Sequence, residues 1–455
     1  MKLSDEIREK IIEMIRSGKS SEEIAEKFDI GKMQVAGIKA HLSKKGKKPQ
    51  KYSIPSNENV KDFSLWSKTT QPYELVRETV DTSVLLGTDE TFNKKVYWNF
   101  DPKTGSVNPH MLIVGETGFG KTYAAQCIVS ELKKKKFATI IFDYGQGFGI
   151  EEASKEFLEL AYPVQIEASR NGVAINPLQI FPEDIMGPVN VAQRTADTFC
   201  RIYPRMGIQQ KEAIIEAVVD VFFFADIHKD DKDSWQKPLP SFNEIHRRLR
   251  AIADSDENSL RHYAKSAYSH ISSFFRFNII RDDGIKLTWD EMINKSGETW
   301  IIQLRGLDYY VSMITTEMLL WNLISYLQSE GPSKLKLFII LDEAHKLSFE
   351  RGTPIEWILR EGRKFGVGVI LASQQLEDYS KVAIANTSTK LVFQNHDEMY
   401  MLSKALAKKC KNISDYKKIS EIITRLERGK AFLLNENIGR KISIDDFRSR
   451  RNLND

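Results

Sequence analysis

The chain has 455 residues, 41% of them hydrophobic and 28% charged, and a net charge of +4. That length exceeds one ordinary domain, and the balance suits a globular chain with a sizeable core; a disordered or fibrous protein is excluded. No apolar run reaches the ~18 residues a membrane span needs. The first residues, MKLSDEIREK, are charged, and Cys127, Cys200 and Cys410 stand far apart with no CxxC pair. Membrane insertion, a secretory leader, a zinc ribbon and a disulfide framework are therefore not expected, and a cytoplasmic, reducing location is.

Charge is unevenly spread. Residues 1–51 hold 13 Lys/Arg against 8 Asp/Glu, a net of +5, and the stretch from Lys39 to Lys51 has six lysines and no acid. Such a footprint fits either a phosphate-backbone partner or a solvated linker. Within residues 1–45 the pattern predicts three short helices. Ile7, Ile11 and Ile15 share a face of the first, Ser20 with Glu23 forms a capping box opening the second, and Val35, Ile38 and Leu42 stripe the third. The run GKSSEEIAEKFDIGKMQVAGIKAHL resembles the helix-turn-helix of DNA-binding regulators and resolvases. That resemblance implies Lys32, Gln34 and Lys39 as outward residues of a groove-reading helix; a three-helix protein-interaction module fits the same packing.

Residues 46–72 read as a basic linker and residues 446–455 as a C-terminal tail, leaving 73–445 as the main domain. Strand-like segments open it: YELVRETV, SVLLG and KKVYWNF. Then MLIVG, ATIIFD, TWIIQL, LFIILD, GVGVILAS and TKLVF alternate with helical patterns. Short, two-sided apolar runs of this kind predict an α/β fold around a mainly parallel, buried sheet. From about 183 to 290 the pattern is helical, charged and aromatic, which predicts a helical insertion. Its Phe222, Phe223, Phe224 and Trp235 fit either core or a partner surface, with core the commoner fate of such residues.

Between the strand MLIV and the helical TYAAQCIVSELKK lies Gly115-Glu116-Thr117-Gly118-Phe119-Gly120-Lys121-Thr122, followed by Tyr123. The match to GxxxxGK[ST], in strand–loop–helix context, predicts a phosphate cradle. Glycines let backbone N–H groups converge on an anion at a helix start. Lys121 is expected on the β- and γ-phosphates of ATP and Thr122 on Mg²⁺, with Gly115 to Tyr123 as the nucleotide-contacting segment. A second apolar strand ends in Asp342-Glu343. Alternation puts the two carboxylates on opposite faces, so they take different tasks: Asp342 the metal, indirectly or through water, and Glu343 the attacking water. Further on, Gln374 or Ser373 ends the strand VGVILASQQ as a γ-phosphate sensor. Arg360 and Arg363, in the predicted helix IEWILREGRKFG, are either transition-state fingers or an ordinary basic helix face. Asp143 either caps its strand or touches the metal's water shell.

With those residues in place, the chain resembles the HerA/FtsK branch of P-loop ATPases over about residues 80–440. The resemblance rests on VLLGTDETFNKKVYWNFDPKTGSVNPHMLIVGETGFGKT, on Ala174-Ile-Asn-Pro-Leu178, on LDEAHKL, and on LREGRKFGVGVILASQQ with the strand TKLVF. NPHMLIVGETGFGKT and NVAQRTADTFCRIYPRMGIQQKEAI look nearest to the HerA-like ATPase of phosphorothioation-dependent restriction. The resemblance implies a RecA-like core, ATP and Mg²⁺ as cofactors, and Arg363 as the finger residue. It further implies a ring, commonly hexameric, acting on double-stranded DNA in a defence system or mobile element, with a nuclease as a possible partner protein. Two features depart from it: little room for the β-barrel that precedes the HerA ATPase, and a helix-turn-helix at the N-terminal rather than the C-terminal end. A nucleotide-switched transcription regulator and a DNA packaging or conjugation ATPase are the alternative readings.

Overall fold

The computed structural model describes residues 82–100, 108–286, 288–294, 297–374, 381–396 and 399–451, with eight residues of the N-terminal region. The chain divides into two compact units, Met1–Glu78 and Thr79–Asp455. In the first, Glu23 N donates to Ser20 Oγ at 3.2 Å and Ser20 N donates to the Glu23 carboxylate at 3.3 Å. This is the reciprocal capping box expected from the sequence, and Ile24 beside it is fully buried. Lys32, Gln34, Lys39, the linker 46–72 and the segment YELVRETV lie outside the described residues.

The second unit is built on one eleven-stranded sheet among the described residues, in the order β2-β1-β11-β10-β9-β3-β8-β7-β4-β6-β5. Seven neighbouring strands are parallel: β9 (Thr389–Val392), β3 (His110–Val114), β8 (Phe365–Ser373), β7 (Ser333–Leu341), β4 (Ala138–Asp143), β6 (Thr299–Gln303) and β5 (Val164–Glu167). The remaining four add on antiparallel beyond β9: β10 (Lys430–Asn435), β11 (Ile438–Ile444), β1 (Ser83–Asp89) and β2 (Lys95–Asn99). The expectation of a mainly parallel α/β sheet holds, and two strands after TKLVF, β10 and β11, add to it without a counterpart in the sequence reading. The β10–β11 hairpin turns through Glu436 and Asn437, both at positive φ (51° and 62°). That turn usually carries Asn-Gly or Asp-Gly, so its signal was hidden in Glu-Asn.

The strands' apolar runs are explained by cover on both faces. Leu112, Val114, Ile140, Phe142, Ile339 and Leu341 join one buried cluster, while their alternates Met111, Ile113, Ile141, Phe338 and Ile340 join another. Helix α1 (Lys121–Lys134) packs into the second cluster, and α2 (Lys155–Ala161) follows β4. Between β5 and β6 stand the helices α3 (Pro188–Ile202), α4 (Ile208–Phe224), α5 (Glu244–Asp254) and α6 (Arg261–Phe277). They are the expected insertion, and they extend the first cluster. Phe222 is buried there, but Phe223 and Phe224 are 60% and 68% exposed, so core burial holds for only one of the three.

Helix α7 (Tyr309–Glu330) crosses beneath the insertion, and α8 (Pro354–Glu361) precedes β8. Beyond β8 come α9 (Lys381–Asn386), α10 (Met399–Ala407), α11 (Tyr416–Thr424) and α12 (Phe447–Arg451). Residues 446–451 are packed against the domain and do not trail from it. The buried Arg450 guanidinium donates to the carbonyls of Leu86 at 3.0 Å, of Asp445 at 2.9 Å and of Leu85. Among the described residues no helix is long and apolar enough to cross a membrane.

Candidate nucleotide-binding site

Parallel strands bring their carboxy ends to one edge, and the first predicted segment leaves the sheet there. After β3, Gly115, Gly118 and Gly120 take φ of 150°, 90° and 109°, a region costly for any side chain. At Gly115 a Cβ would also lie 2.6 Å from that of Phe393, so this turn admits only glycine. Gly120 caps α1, and Thr117 and Gly118 form the exposed tip. The Lys121 ammonium folds back over the loop, donating to the carbonyls of Gly115 at 2.6 Å and Glu116 at 3.0 Å. Burial lowers its pKa, while Glu343, Asp342 and Glu116 pull it up, which places both acids of the second segment within its field. The loop's flanks are tied down. Glu116 accepts from His396 N at 2.7 Å, the Phe119 carbonyl accepts from Gly429 N at 3.1 Å, and the Tyr123 ring meets Phe447 edge-on at 5.3 Å.

The acidic pair stands at the end of β7, two strands from the loop across β8. Asp342 is buried; burial first, then Asp143 and Glu343, push its carboxyl up to about 7. A cation there would relieve that cost. Glu343 adopts the left-handed conformation (φ 56°), a strain of ~1–3 kcal/mol of the kind that collects at reactive positions. Its Oε2 lies 3.2 Å from His345 Nδ1 without forming a well-directed hydrogen bond.

The two segments meet at Gly147. A Cβ there would fall 2.4 Å from Thr122 Cγ2 and 3.1 Å from an Asp342 carboxylate oxygen, so both side chains converge on one small space. The loop carrying Gly147 is held by Asp143. Its carboxylate accepts from Gly145 N at 3.0 Å, Phe148 N at 3.1 Å and Gln303 Nε2 at 2.9 Å. Asp143 is thus the loop's organiser, and Gln126 seconds it by donating to the Gly147 carbonyl at 2.6 Å. Sequence reasoning missed Gly147, Gln126 and His345. The alternation Gly145-Gln-Gly147-Phe-Gly149 directly after a strand was the available signal. No group of three or more His, Cys, Asp or Glu among the described residues could hold a metal on its own. Thr122 and Asp342 suit a hard cation that arrives with phosphate oxygens and keeps its waters, as Mg²⁺ does.

Gln374 follows β8 between the loop and the acidic pair, with its side chain exposed, and its carbonyl accepts from Asn395 Nδ2 at 3.3 Å. Ser373 is buried, its hydroxyl 3.4 Å from His345 Nδ1. Arg363 is not brought to the site. The predicted helix ends at Glu361, and Arg363 sits in a single 3₁₀ turn before β8. Nine residues of strand then separate it from Gln374, ~30 Å at 3.3 Å per residue. Arg360 pairs with Glu356 on its own helix. The Asn-Pro-Leu element is a brace: Asn176 Nδ2 donates to the Pro240 carbonyl at 2.8 Å, and its own carbonyl accepts from Asn322 Nδ2 at 3.2 Å.

Comparison with known proteins agrees with this architecture. Residues 99–323 match the family described as "Helicase HerA, central domain". The DNA double-strand break repair helicase HerA of Sulfurisphaera tokodaii is 22% identical over 373 residues, which cover 76% of this chain and 66% of that one. Its counterpart in Sulfolobus acidocaldarius is 23% identical over 402 residues, covering 83% and 73%. Among solved structures, VirB4 of Thermoanaerobacter pseudethanolicus superposes with a TM-score of 0.63 at 18% identity, over 80% of this chain and 96% of that one. The plasmid coupling protein TrwB in complex with ADP and Mg²⁺ gives 0.50 at 14%, over 74% and 85%. Residues 99–323 therefore match the HerA central domain, and the chain is a P-loop ATPase similar to the HerA helicases.

Proposed function

We propose that the protein binds Mg²⁺-ATP at the carboxy edge of its sheet and hydrolyses it to drive movement on double-stranded DNA. The observation that carries this reading is the convergence of Thr122 and Asp342 on Gly147, beneath Lys121. The names of the HerA relatives and the ADP–Mg²⁺ complex of TrwB support it. When ATP binds, the Lys121 ammonium exchanges the carbonyls of Gly115 and Glu116 for β- and γ-phosphate oxygens. Thr122 and Asp342 would hold the Mg²⁺, which would supply neutralisation of phosphate charge. Glu343 orients a water and takes its proton as that oxygen bonds the γ-phosphorus and the bond to ADP breaks. Gln374, at the end of the strand between the two segments, reads the presence of the γ-phosphate.

Arg363 cannot serve its own subunit's site. We therefore infer that it acts on a neighbouring copy, in a ring that we expect to be hexameric. Residues 1–45 would recruit that ring to DNA or to a partner such as a nuclease, within a defence system or mobile element. The test is the ATPase rate with and without long duplex DNA, for wild type and Lys121→Ala. Strong stimulation that Lys121→Ala abolishes is expected. A very slow turnover indifferent to DNA would instead mark a nucleotide-switched regulator.

A further inference from the structure

The hairpin of α10 and α11 carries an excess of positive charge. Residues 399–418 contain six lysines and a single acid, Asp415. That acid is already engaged, capping α11 by accepting from Lys417 N at 2.9 Å. Of the lysines, Lys409 donates its ammonium to the carbonyls of Ile384 at 2.9 Å and Ala385 at 3.1 Å, and Lys404 donates to the Tyr400 hydroxyl on its own helix. Lys404, Lys408, Lys411, Lys417 and Lys418 are exposed, and none forms an ion pair among the described residues. Cations elsewhere in the unit include paired ones: Lys430 pairs with Glu90 and Glu427, Arg425 with Glu421, and Lys95 with Asp445.

Two placements run against structural economy. Lys417 and Lys418 occupy the first turn of α11, where the helix dipole is positive and acids are favoured; that turn holds none. Cations at a helix start are disfavoured unless anions cover them, and Asp415 at the N-cap is one carboxylate for two lysines. Beside them, Tyr400 and Met401 are 53% and 61% exposed. Tyr400 and Lys404, four residues apart, share a face of α10, and their side chains touch at 2.8 Å. The Tyr400 ring packs edge-on to Tyr416 at 5.4 Å, joining the two helices across the top of the hairpin.

We infer that this hairpin is a docking surface for the phosphate backbone of duplex DNA. Unpaired ammonium groups release counterions from phosphates, while Tyr400 and Met401 offer flat apolar area to sugars. The inference rests on the DNA-motor reading and adds where the duplex bears on the core. The hairpin is braced against the phosphate loop: the Thr424 carbonyl, at the end of α11, accepts from Gln394 Nε2 at 3.1 Å, and the Gln394 carbonyl accepts from Glu116 N at 2.9 Å. A duplex held here would press on the nucleotide site through two hydrogen bonds.

The experiment compares full-length wild type with Lys404→Glu/Lys408→Glu/Lys411→Glu, with Lys417→Glu/Lys418→Glu, and with a control reversing the exposed Lys229 and Lys265 on the insertion. Lysine-to-glutamine versions of the hairpin variants guard against misfolding. Affinity for a mixed-sequence duplex is measured across salt, together with basal and DNA-stimulated ATPase. The hairpin reversals should weaken binding at least ~10-fold and flatten the slope of log affinity against log salt by about 0.9 for each phosphate that is no longer neutralised. Basal turnover should stay within about twofold while stimulation falls with affinity; the control should change neither. An unchanged affinity and slope, or a weakening matched by the control, overturns the inference. So does loss of binding to phosphatidylserine vesicles with duplex binding intact, which would assign the surface to membranes. If wild type itself neither binds duplex nor responds to it, the motor reading has failed first; if only the hairpin variants match wild type, this assignment alone has.

Discussion

Gly147 has no side chain, and the space one would occupy is already taken by Thr122 and Asp342. Gly147→Val should therefore displace one or both and weaken Mg²⁺-nucleotide binding at least ~10-fold, since misplacing positioned groups by about 1 Å costs on that scale. Titration with a fluorescent ATP analogue, with and without Mg²⁺, reads this directly; unchanged Mg²⁺-dependent affinity would show the loop to be a bystander. Glu343 differs in kind, because the role proposed for it begins after binding. Glu343→Gln keeps the shape but not the base, so nucleotide affinity should persist while turnover drops at least ~100-fold. Turnover near wild type would remove Glu343 from the mechanism. Its left-handed backbone adds a structural cost that the variant shares, so a melting temperature close to wild type is also expected.

Among the packed elements, the insertion is fastened to the core by a buried charge. Arg201 on α3 reaches Glu317 on α7 at 2.7 Å and also donates to the Gly352 carbonyl at 3.3 Å, in the loop leading from the acidic pair to α8. Burial raises the Glu317 pKa and Arg201 lowers it, and the second oxygen of Glu317 finds no hydrogen bond. Arg201→Ala strands a buried carboxylate and should cost ~3–5 kcal/mol. Replacing both partners with apolar residues should recover much of that in a denaturant melt; no recovery would mean the loss came from packing.

The β1–β2 turn shows the opposite case at the surface. Burial disfavours the Glu90 carboxylate, but Lys430, Lys441 and Ser443 outweigh it and hold the pKa at about 2, against 4.5 when unfolded. Its contribution is present above pH 4.5 and disappears as pH falls toward 2. Glu90→Gln should cost ~1 kcal/mol at neutral pH after solvent screening, with the gap to wild type closing in acid. A gap independent of pH would sink the assignment.

For the molecule as a unit, the length of β8 decides how Arg363 can act. In the proposed mechanism Arg363, ~30 Å of strand away from Gln374 in its own subunit, serves the site of another copy. Arg363→Ala and Lys121→Ala should each be inactive alone, yet mixing them should restore part of the activity, because some interfaces would combine an intact loop with an intact arginine. Mixtures as dead as their components would rule out a shared site. The same arrangement predicts that an ATP analogue drives assembly into a ring-sized species by light scattering.

The parallel core, the cradle and the acidic strand end were legible in the amino-acid order alone. Those features are local: apolar runs bounded by turns, glycines demanded by positive φ, and carboxylates at a fixed offset from a strand. The register that lets β1 meet β11 joins positions such as Gly87 and Ile444, more than three hundred residues apart, and no periodicity encodes such a pairing. Gly147 is an unremarked loop residue until folding sets it against Thr122 and Asp342, and Arg363 reads as a site residue until strand length carries it to the far edge. Local chemistry is written in neighbouring residues; which distant segments share a metal, a phosphate or a subunit boundary is settled only by packing.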